Sequence, residues 1–244
     1  MEEWTLIRYE TIDSTNAALK NMTQAPHGTI LCSTVQTAGR GRLGRSFHSS
    51  QGGLYLSLLL KRRESPDRLL HLTPMVAVAV RRAIRDVCSV DADIKWINDL
   101  QIQGKKICGI LTEIAPHGGI IIGIGINCNT ESFPEKLRSI AGSLSEFCGR
   151  VNEDALLQAL ILRLKELDRC LIREKAQWLA EYKKACITLQ KEVLVISPTE
   201  QQEAFAEDLG ENGEIIVRFP DGTRKTVFMG EVSLKQISER KETV

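Results

Sequence analysis

The chain has 244 residues, of which 43% are hydrophobic and 26% charged, with a net charge of +1. That length suffices for one large domain, or for one domain with a small appendage, and buries roughly 70–75% of the surface the unfolded chain would expose. The near-neutral balance excludes the broad basic footprint of a dedicated nucleic-acid binder, although a local basic loop could still hold a small anion. No apolar run approaches the ~20 residues that span a bilayer, and the acidic start Met1-Glu2-Glu3-Trp4 lacks the apolar core of a secretory signal. The seven cysteines are odd in number and form no C-x-x-C pair, so reduced, mostly buried thiols and a cytoplasmic location are expected. The four histidines show no metal-ligand spacing and read as structural or surface residues.

In chain order, Leu6–Tyr9 reads as a short strand, and Asp13 or Ser14 stands where a cap would open a short helix reaching Lys20. Thr29–Gln36 is β-branched and apolar, as in a buried strand, and runs into a glycine- and arginine-rich loop from Thr37 to Gly53. Leu54–Leu60 is the next strand. Apolar residues at helical spacing (Leu69, Leu72, Val76, Val80, Ile84 and Val87) predict a helix, with Pro74 as an irregularity near its start. Ile94–Trp96 follows, then a polar turn, then two apolar runs, Ile107–Ile114 and Ile120–Ile126, which Gly118-Gly119 joins as a hairpin. Strands linked this tightly argue for a mainly antiparallel or mixed sheet rather than repeated βαβ units. Glu153–Tyr182 predicts one long helix with a leucine-rich buried stripe. After Cys186 come four short β-like runs, Val193–Ile196, Ala204–Leu209, Ile215–Phe219 and Arg224–Phe228, separated by turn signals such as Glu211-Asn212-Gly213. They predict a small β-barrel or sandwich, with the boundary between residues 187 and 188.

The segment Gly39-Arg40-Gly41-Arg42-Leu43-Gly44-Arg45 formally contains G-x-G-x-x-G. A dinucleotide fold needs a helix directly after that motif, and the following Ser46-Phe47-His48-Ser49-Ser50 is loop chemistry instead. Three arginines within six residues repel one another unless anions lie between them. Glycine lets the backbone wrap a ligand, and guanidinium groups offer forked donors to phosphate or carboxylate. A flexible loop that orders around a polyanion is the inference, against the blander alternative of a solvated basic loop.

A second cluster joins Lys95-Trp96-Ile97-Asn98-Asp99 to Gly104-Lys105-Lys106-Ile107-Cys108-Gly109-Ile110-Leu111. Lysines on an exposed turn are commonplace, but Lys106 abuts a buried strand, where its amine could bridge a carboxylate and an α-phosphate. Asn98 and Asp99 offer oxygens to Mg²⁺ or hydrogen bonds to a nucleotide. The alternate glycines of Gly123-Ile124-Gly125-Ile126-Asn127 mark either close approach of a ligand or tight packing against a helix.

Together with Asp13-Ser14-Thr15-Asn16, Thr34-Val35-Gln36-Thr37-Ala38 and Gly230-Glu231-Val232-Ser233-Leu234, these segments, in this order, resemble the biotin–protein ligases. The resemblance implies an α+β fold: a mixed-sheet catalytic domain like that of class II aminoacyl-tRNA synthetases over residues 1–187, and an SH3-like C-terminal domain over 188–244. It implies an ATP-dependent ligase that forms biotinyl-5'-AMP and passes biotin to a lysine of a biotin carboxyl carrier protein. By matching position, Ser14, Thr15, Asn16 and Gln36 would face the biotin ureido ring, with Gly109 backing the vitamin. Arg40, Gly41 and Arg42 would cover biotin and the adenylate, and Lys106 would reach the activated carboxyl and the α-phosphate. Arg45, Phe47, Asn98, Asp99 and Asn127 would lie on the ATP side. Mg²⁺ would accompany ATP through ligands the resemblance does not specify.

A ureido group is a planar set of donors and an acceptor, which neutral hydrogen-bonding side chains suit. A carrier lysine attacking an adenylate needs no covalent enzyme intermediate, consistent with the lack of a Ser–His or Cys–His signature. The chain departs from the family pattern at Phe47, where Trp is usual, at Ile97, where Pro is usual and the turn is expected to loosen, and at Lys235, where Arg is common. Only about a dozen residues precede Asp13, too few for a helix-turn-helix, so no DNA binding and no membrane partner are expected, while a homodimer stays open. Two rival readings are a lipoate or octanoate ligase of the same fold, whose apolar substrate would not need the Ser14–Asn16 and Gln36 set, and a catalytically dead biotin-binding regulator, which would not need Arg42 and Lys106.

Overall fold

The computed structural model describes residues 3–62, 64, 69–197 and 200–228, together with the backbone of Ser233–Gln236. Strand β1 (Thr5–Ile12) leads into helix α1 (Thr15–Asn21), which Ser14 caps through a 3.4 Å bond from the Ala17 N–H to its hydroxyl. Strands β2 (Thr29–Gln36) and β3 (Gly53–Leu60) fall where their apolar runs predict. Helix α2 (Leu72–Cys88) runs straight through Pro74, contrary to the expected irregularity. Pro74 lies in the first turn, where a backbone N–H has no intrahelical acceptor to lose.

Strand β4 (Asp93–Lys95) is followed by β5 (Asp99–Ile102), hidden in what the sequence presents as a polar turn. Strands β6 (Lys105–Ile114) and β7 (Ile120–Asn127) form the predicted hairpin. The turn between β4 and β5 is pinned on several sides. Trp96 N–H donates to Thr188 Oγ1, the Tyr182 hydroxyl donates to Ile97 O, and Ile97 is buried, so the turn is not loosened.

Helix α3 (Ser145–Cys148) precedes α4 (Glu153–Cys170) and α5 (Lys175–Ala185). The single helix predicted over Glu153–Tyr182 is therefore two. No glycine or proline marks the break, and the apolar spacing from Leu164 through Leu171 to Trp178 and Tyr182 continues across it. The Leu171 carbonyl freed there accepts a bond from buried His71 Nε2 at 3.2 Å.

The first seven strands make one sheet in the order β1-β2-β3-β7-β6-β5-β4, parallel only between β1 and β2. Its alternation sends Leu54, Leu56, Leu58, Ile122, Ile124 and Ile126 into the main core beneath α2 and α4. The opposite face carries α1 on a smaller cluster of Leu19, Leu31, Leu59 and Ile121. Beyond the first turn of α1 that face is uncovered by helix, and the cavity described below forms there.

The C-terminal strands β8 (Lys191–Ile196), β9 (Gln201–Leu209), β10 (Ile215–Arg218), β11 (Arg224–Val227) and β12 (Ser233–Gln236) form an antiparallel sheet in the order β11-β10-β9-β8-β12. Of the Gly230–Leu234 motif, Gly230, Glu231 and Val232 lie outside the described residues, and β12 was not foreseen as a strand. The turn at Gly213 docks on the larger sheet: Trp96 Nε1 donates to Gly213 O at 2.9 Å. All seven cysteines are free thiols, and burial pushes Cys32 up to about 11. No helix among the described residues is long and apolar enough to cross a membrane.

Candidate active site

A cavity of about 410 Å³ opens on the uncovered face, within the range of small-molecule sites. Its floor is made by Gly123, Leu111, Gly125 and Gly109, the members that line the cavity in two rows of residues paired across β3, β7 and β6. Ser57, Gly123 and Leu111 form one row, and Tyr55, Gly125 and Gly109 the other. The glycines are required by close approach. A Cβ on Gly123 would stand 2.3 Å from Asn16 Oδ1, and one on Gly125 or Gly109 would stand 2.6 or 2.8 Å from the Phe47 ring.

One end of the cavity is neutral and polar. Thr15 N–H donates to Gln36 Oε1 at 2.8 Å, and Gln36 Nε2 donates to Ser49 Oγ at 3.0 Å. The Ser57 hydroxyl lies against Thr15 Oγ1 at 2.7 Å and against Asn16 Oδ1. Asn16 Nδ2 in turn donates to Glu113 Oε2 at 2.7 Å, and Lys20 Nζ holds the other Glu113 oxygen. Ser14, Thr15, Asn16 and Ser57 are all at most 5% exposed.

The other end is cationic. The glycine–arginine segment folds into a closed strap: Gly41 N–H donates to Arg45 O at 2.7 Å, Phe47 N–H donates to Gly39 O at 2.9 Å, and Arg40 bridges Ser46. Leu43 takes φ 55° and Gly44 φ 73° at the turn, a reversal that glycine beside it eases. Arg42 Nη1 donates to Asn98 Oδ1 at 3.0 Å, and Asn98 Nδ2 donates to Ile110 O at 2.9 Å, which braces the guanidinium on β6. Arg42 Nη2 is buried without a partner, and burial depresses the Arg42 pKa even though Asp99 supports its charge. A buried, unmatched cationic donor on a side chain that lines a cavity is suited to an anion.

Lys106 reaches the cavity through an irregularity in β6. Leu100 pairs with Cys108 but Gln101 pairs with Lys106, so Ile107 is an extra residue. Strict alternation would put Lys106 on the face opposite Gly109, Leu111 and Glu113; the bulge turns it onto theirs. Its Nζ lies 2.7 Å from Asp99 Oδ1 and 5.7 Å from the centre of the Phe47 ring. Five cationic residues line the cavity (Arg40, Arg42, Arg45, Lys95 and Lys106) against one carboxylate, Asp99. The chain's near-zero net charge conceals this concentration.

The cavity thus gathers the expected Ser14, Thr15, Asn16, Gln36, Arg40, Gly41, Arg42, Arg45, Phe47, Asn98, Asp99, Lys106 and Gly109. Asn127 is the exception. It shares the face of Gly123 and Gly125, but the segment at Gly142 covers it, and its Nδ2 donates to Gly142 O and Lys106 O one layer behind the cavity. Phe47, expected on the nucleotide side, lies on the glycine platform expected to back the vitamin. No group of three metal-ligating side chains occurs among the described residues. Asn98 Oδ1 is occupied by Arg42, and Asp99 is the one lining carboxylate that could meet a divalent cation arriving already held by phosphates. Ser57, Glu113 and Lys20 were not singled out from sequence. A lone serine inside Leu54–Leu60 and a lone glutamate inside Ile107–Ile114 were the available signals.

Residues 9–130 match the biotin/lipoate A/B protein ligase family. The chain is 38% identical over 167 residues to the bifunctional ligase/repressor BirA of Bacillus subtilis, covering 64% of this chain and 51% of that protein. It therefore spans about half the length of that relative. It is 27% identical to the biotin–[acetyl-CoA-carboxylase] ligase of Mycobacterium tuberculosis over 77% of this chain and 72% of that one. The biotin protein ligase of Aquifex aeolicus, solved in complex with biotin and ATP, superposes with a TM-score of 0.85 at 30% identity, covering 95% of this chain and 99% of that chain.

Proposed function

The chain belongs to the biotin/lipoate A/B protein ligase family, and from that membership we propose that it joins biotin to ATP as biotinyl-5'-AMP and transfers the biotinyl group to a lysine of a biotin carboxyl carrier protein. One arrangement carries the reading: a buried set of neutral hydrogen-bonding side chains lies at one end of a cavity whose other end holds Arg42 and Lys106. Biotin unites a ureido ring and a carboxylate in that same order, and lipoate, whose head is apolar, would leave the polar end unmatched.

In the first step a biotin carboxylate oxygen attacks the α-phosphorus of ATP and pyrophosphate leaves. Lys106 and Arg42 hold the two anions together and offset the charge that builds around phosphorus. In the second step a deprotonated lysine amine attacks the acyl carbon and AMP leaves, with no bond to the enzyme at any stage. Mg²⁺, when bound with ATP, neutralises phosphate charge, and Asp99 is the residue to offer it an oxygen. Ser14, Thr15, Asn16 and Gln36 take the ureido end, Gly109 and Gly125 give the platform on which the Phe47 ring lies, and Arg40, Gly41, Arg45 and Asn98 belong to the adenylate side. Asn127 acts from behind by holding the Lys106 backbone. Residues 1–187 are the catalytic unit and 188–244 an SH3-like appendage. Seven free thiols suit a reducing, cytoplasmic setting.

The test is ATP–pyrophosphate exchange by the purified protein, followed by labelling of a biotin carboxyl carrier domain. Exchange driven by biotin and not by lipoate is expected. Exchange driven by lipoate would move the protein to its sister activity, and biotin binding without exchange would make it a regulator.

A further inference from the structure

Resting on the biotin reading above, we propose that Gln101 is a further substrate-binding residue of the first step, and that its side-chain amide donates to the phosphates of ATP that leave as pyrophosphate. Gln101 is 8% exposed and lines the cavity, yet its amide makes no hydrogen bond among the described residues. A buried polar group without a partner is uncommon. Unlike Arg42 Nη2, neither polar atom of this amide is sealed from solvent, so a ligand in the cavity can supply the missing partner.

Strand alternation fixes the side on which Gln101 lies. Leu100 and Ile102 enter the main core, so Asp99 and Gln101 share the opposite face of β5, and both line the cavity. Across the ladder Gln101 pairs with Lys106. The bulge that turns Lys106 toward the cavity therefore sets it beside Gln101. On the far side of Lys106 another segment is in place: Lys106 N–H donates to Ile140 O at 2.8 Å, and Gly142 N–H donates to Lys106 O at 3.0 Å. That segment also covers Asn127. Toward β5 the wall continues from Gln101 to Gly104, which lines the cavity and is exposed.

The direction of attack selects the part of ATP that meets this wall. Along β6 the neutral end of the cavity lies at Leu111 and at Glu113, which holds Asn16; Lys106 lies toward the start of the strand, and the turn at Gly104 lies beyond it. A biotin carboxylate therefore reaches an α-phosphorus at Lys106 from the Leu111 side. Attacking and leaving oxygens lie roughly in line, so pyrophosphate departs toward Gln101 and Gly104. Gln101 is also two residues along β5 from Asp99, about 7 Å away. A neutral amide suits this place. Its Nε2 carries two N–H donors for phosphate oxygens, and it adds no charge to the five cationic residues already lining the cavity. A glutamate there would repel the phosphates, and a lysine would compete with Lys106 for Asp99. Once pyrophosphate has left, the amide has no part in the second step.

The experiment separates the two half-reactions in wild type and in Gln101→Met, which keeps the length of the side chain and removes its amide. Biotin-dependent ATP–pyrophosphate exchange gives the KM for pyrophosphate, and transfer from preformed biotinyl-5'-AMP to a biotin carboxyl carrier domain gives the second step alone. Calorimetry gives the Kd for magnesium pyrophosphate and for biotin. In Gln101→Met the KM and Kd for pyrophosphate should rise about tenfold, as for one lost hydrogen bond to a charged group, while biotin Kd and the transfer rate stay within about threefold. That pattern supports the proposal. Unchanged pyrophosphate constants overturn it. Equal losses in both half-reactions, which a packing role predicts, also overturn it, as does a loss confined to transfer, which would assign the amide to the incoming lysine. If Gln101→Met does not fold, Gln101→Glu carries the test: a raised pyrophosphate KM with unchanged transfer supports the proposal, and an unchanged pyrophosphate KM refutes it. Wild-type protein inert in exchange would instead remove the biotin reading, and pyrophosphate calorimetry would still decide the role of Gln101.

Discussion

Lys106 Nζ lies 2.7 Å from Asp99 Oδ1, on the side of β6 to which the extra residue Ile107 turns it. The ion pair holds the amine at the cationic end of the cavity, and in the proposed reaction it exchanges that carboxylate for substrate anions. Lys106→Ala should slow biotin-dependent exchange by about ten- to a hundredfold, the equivalent of roughly 1.5–3 kcal/mol for a charged hydrogen bond. Steady-state exchange checks this, and a rate near that of wild type would refute the role.

The strap arginine adds geometry to charge. Arg42 uses Nη1 on Asn98 and keeps Nη2 buried and unmatched, a division that a lysine ammonium cannot reproduce. Arg42→Lys should therefore lower exchange about tenfold while leaving the Kd for biotin alone within about threefold. Calorimetry alongside exchange separates the two effects. An equal loss in both would place Arg42 on biotin itself.

Glycine at 109 and 125 is needed because the Phe47 ring lies on the backbone there, with a Cβ at 2.8 or 2.6 Å from its edge. Gly125→Ala should displace the ring and raise biotin KM by about five- to a hundredfold, the equivalent of roughly 1–3 kcal/mol of overpacking. Gly125→Ala combined with Phe47→Leu should recover part of the loss. Failure of the smaller side chain to improve KM would show that the ring is not what the methyl group meets.

His71 should make stability pH-dependent. Its Nε2–H donates to Leu171 O, leaving Nδ1 buried without a partner. Burial first, and the Lys175 charge second, hold its pKa below the ordinary 6.5, with the carbonyl bond opposing them. The unfolded chain therefore takes up this proton before the native one does, so the contribution to stability is full above pH 6.5 and is lost as pH falls below it. The Tm should drop between pH 7.5 and pH 5.5, and it should drop less in His71→Gln, which keeps a donor for Leu171. Identical drops in the two proteins would contradict the assignment.

What was legible in the sequence follows from where the information is local. Ser14 as a cap, the apolar runs of β2 and β3, and the Gly118-Gly119 hairpin each depend on neighbours in the chain, and they stand where expected. The break between α4 and α5 was invisible because the apolar period runs through it, while the group that receives the freed carbonyl, His71, lies a hundred residues away. β5 escaped because Asp99-Leu100-Gln101-Ile102 alternates over only four residues within a polar context. The site shows the same division. The arginine–glycine strap and the Gly123–Gly125 pair announce themselves by composition. Ser57 and Glu113 are single polar residues in apolar strands, and their meeting with Asn16 depends on the register between β3, β7 and β6. Asn127 shows the converse: its motif is conspicuous, yet the segment at Gly142 covers it.

The central claim is that one ligand spans both ends of the cavity, and a crystal of the protein with biotinyl-5'-AMP tests it most directly. The account predicts the phosphate within hydrogen-bonding distance of Arg42 Nη2 and Lys106 Nζ, with the ureido nitrogens beside Thr15. Electron density for the compound anywhere else, or in this cavity with its two ends reversed, would contradict it.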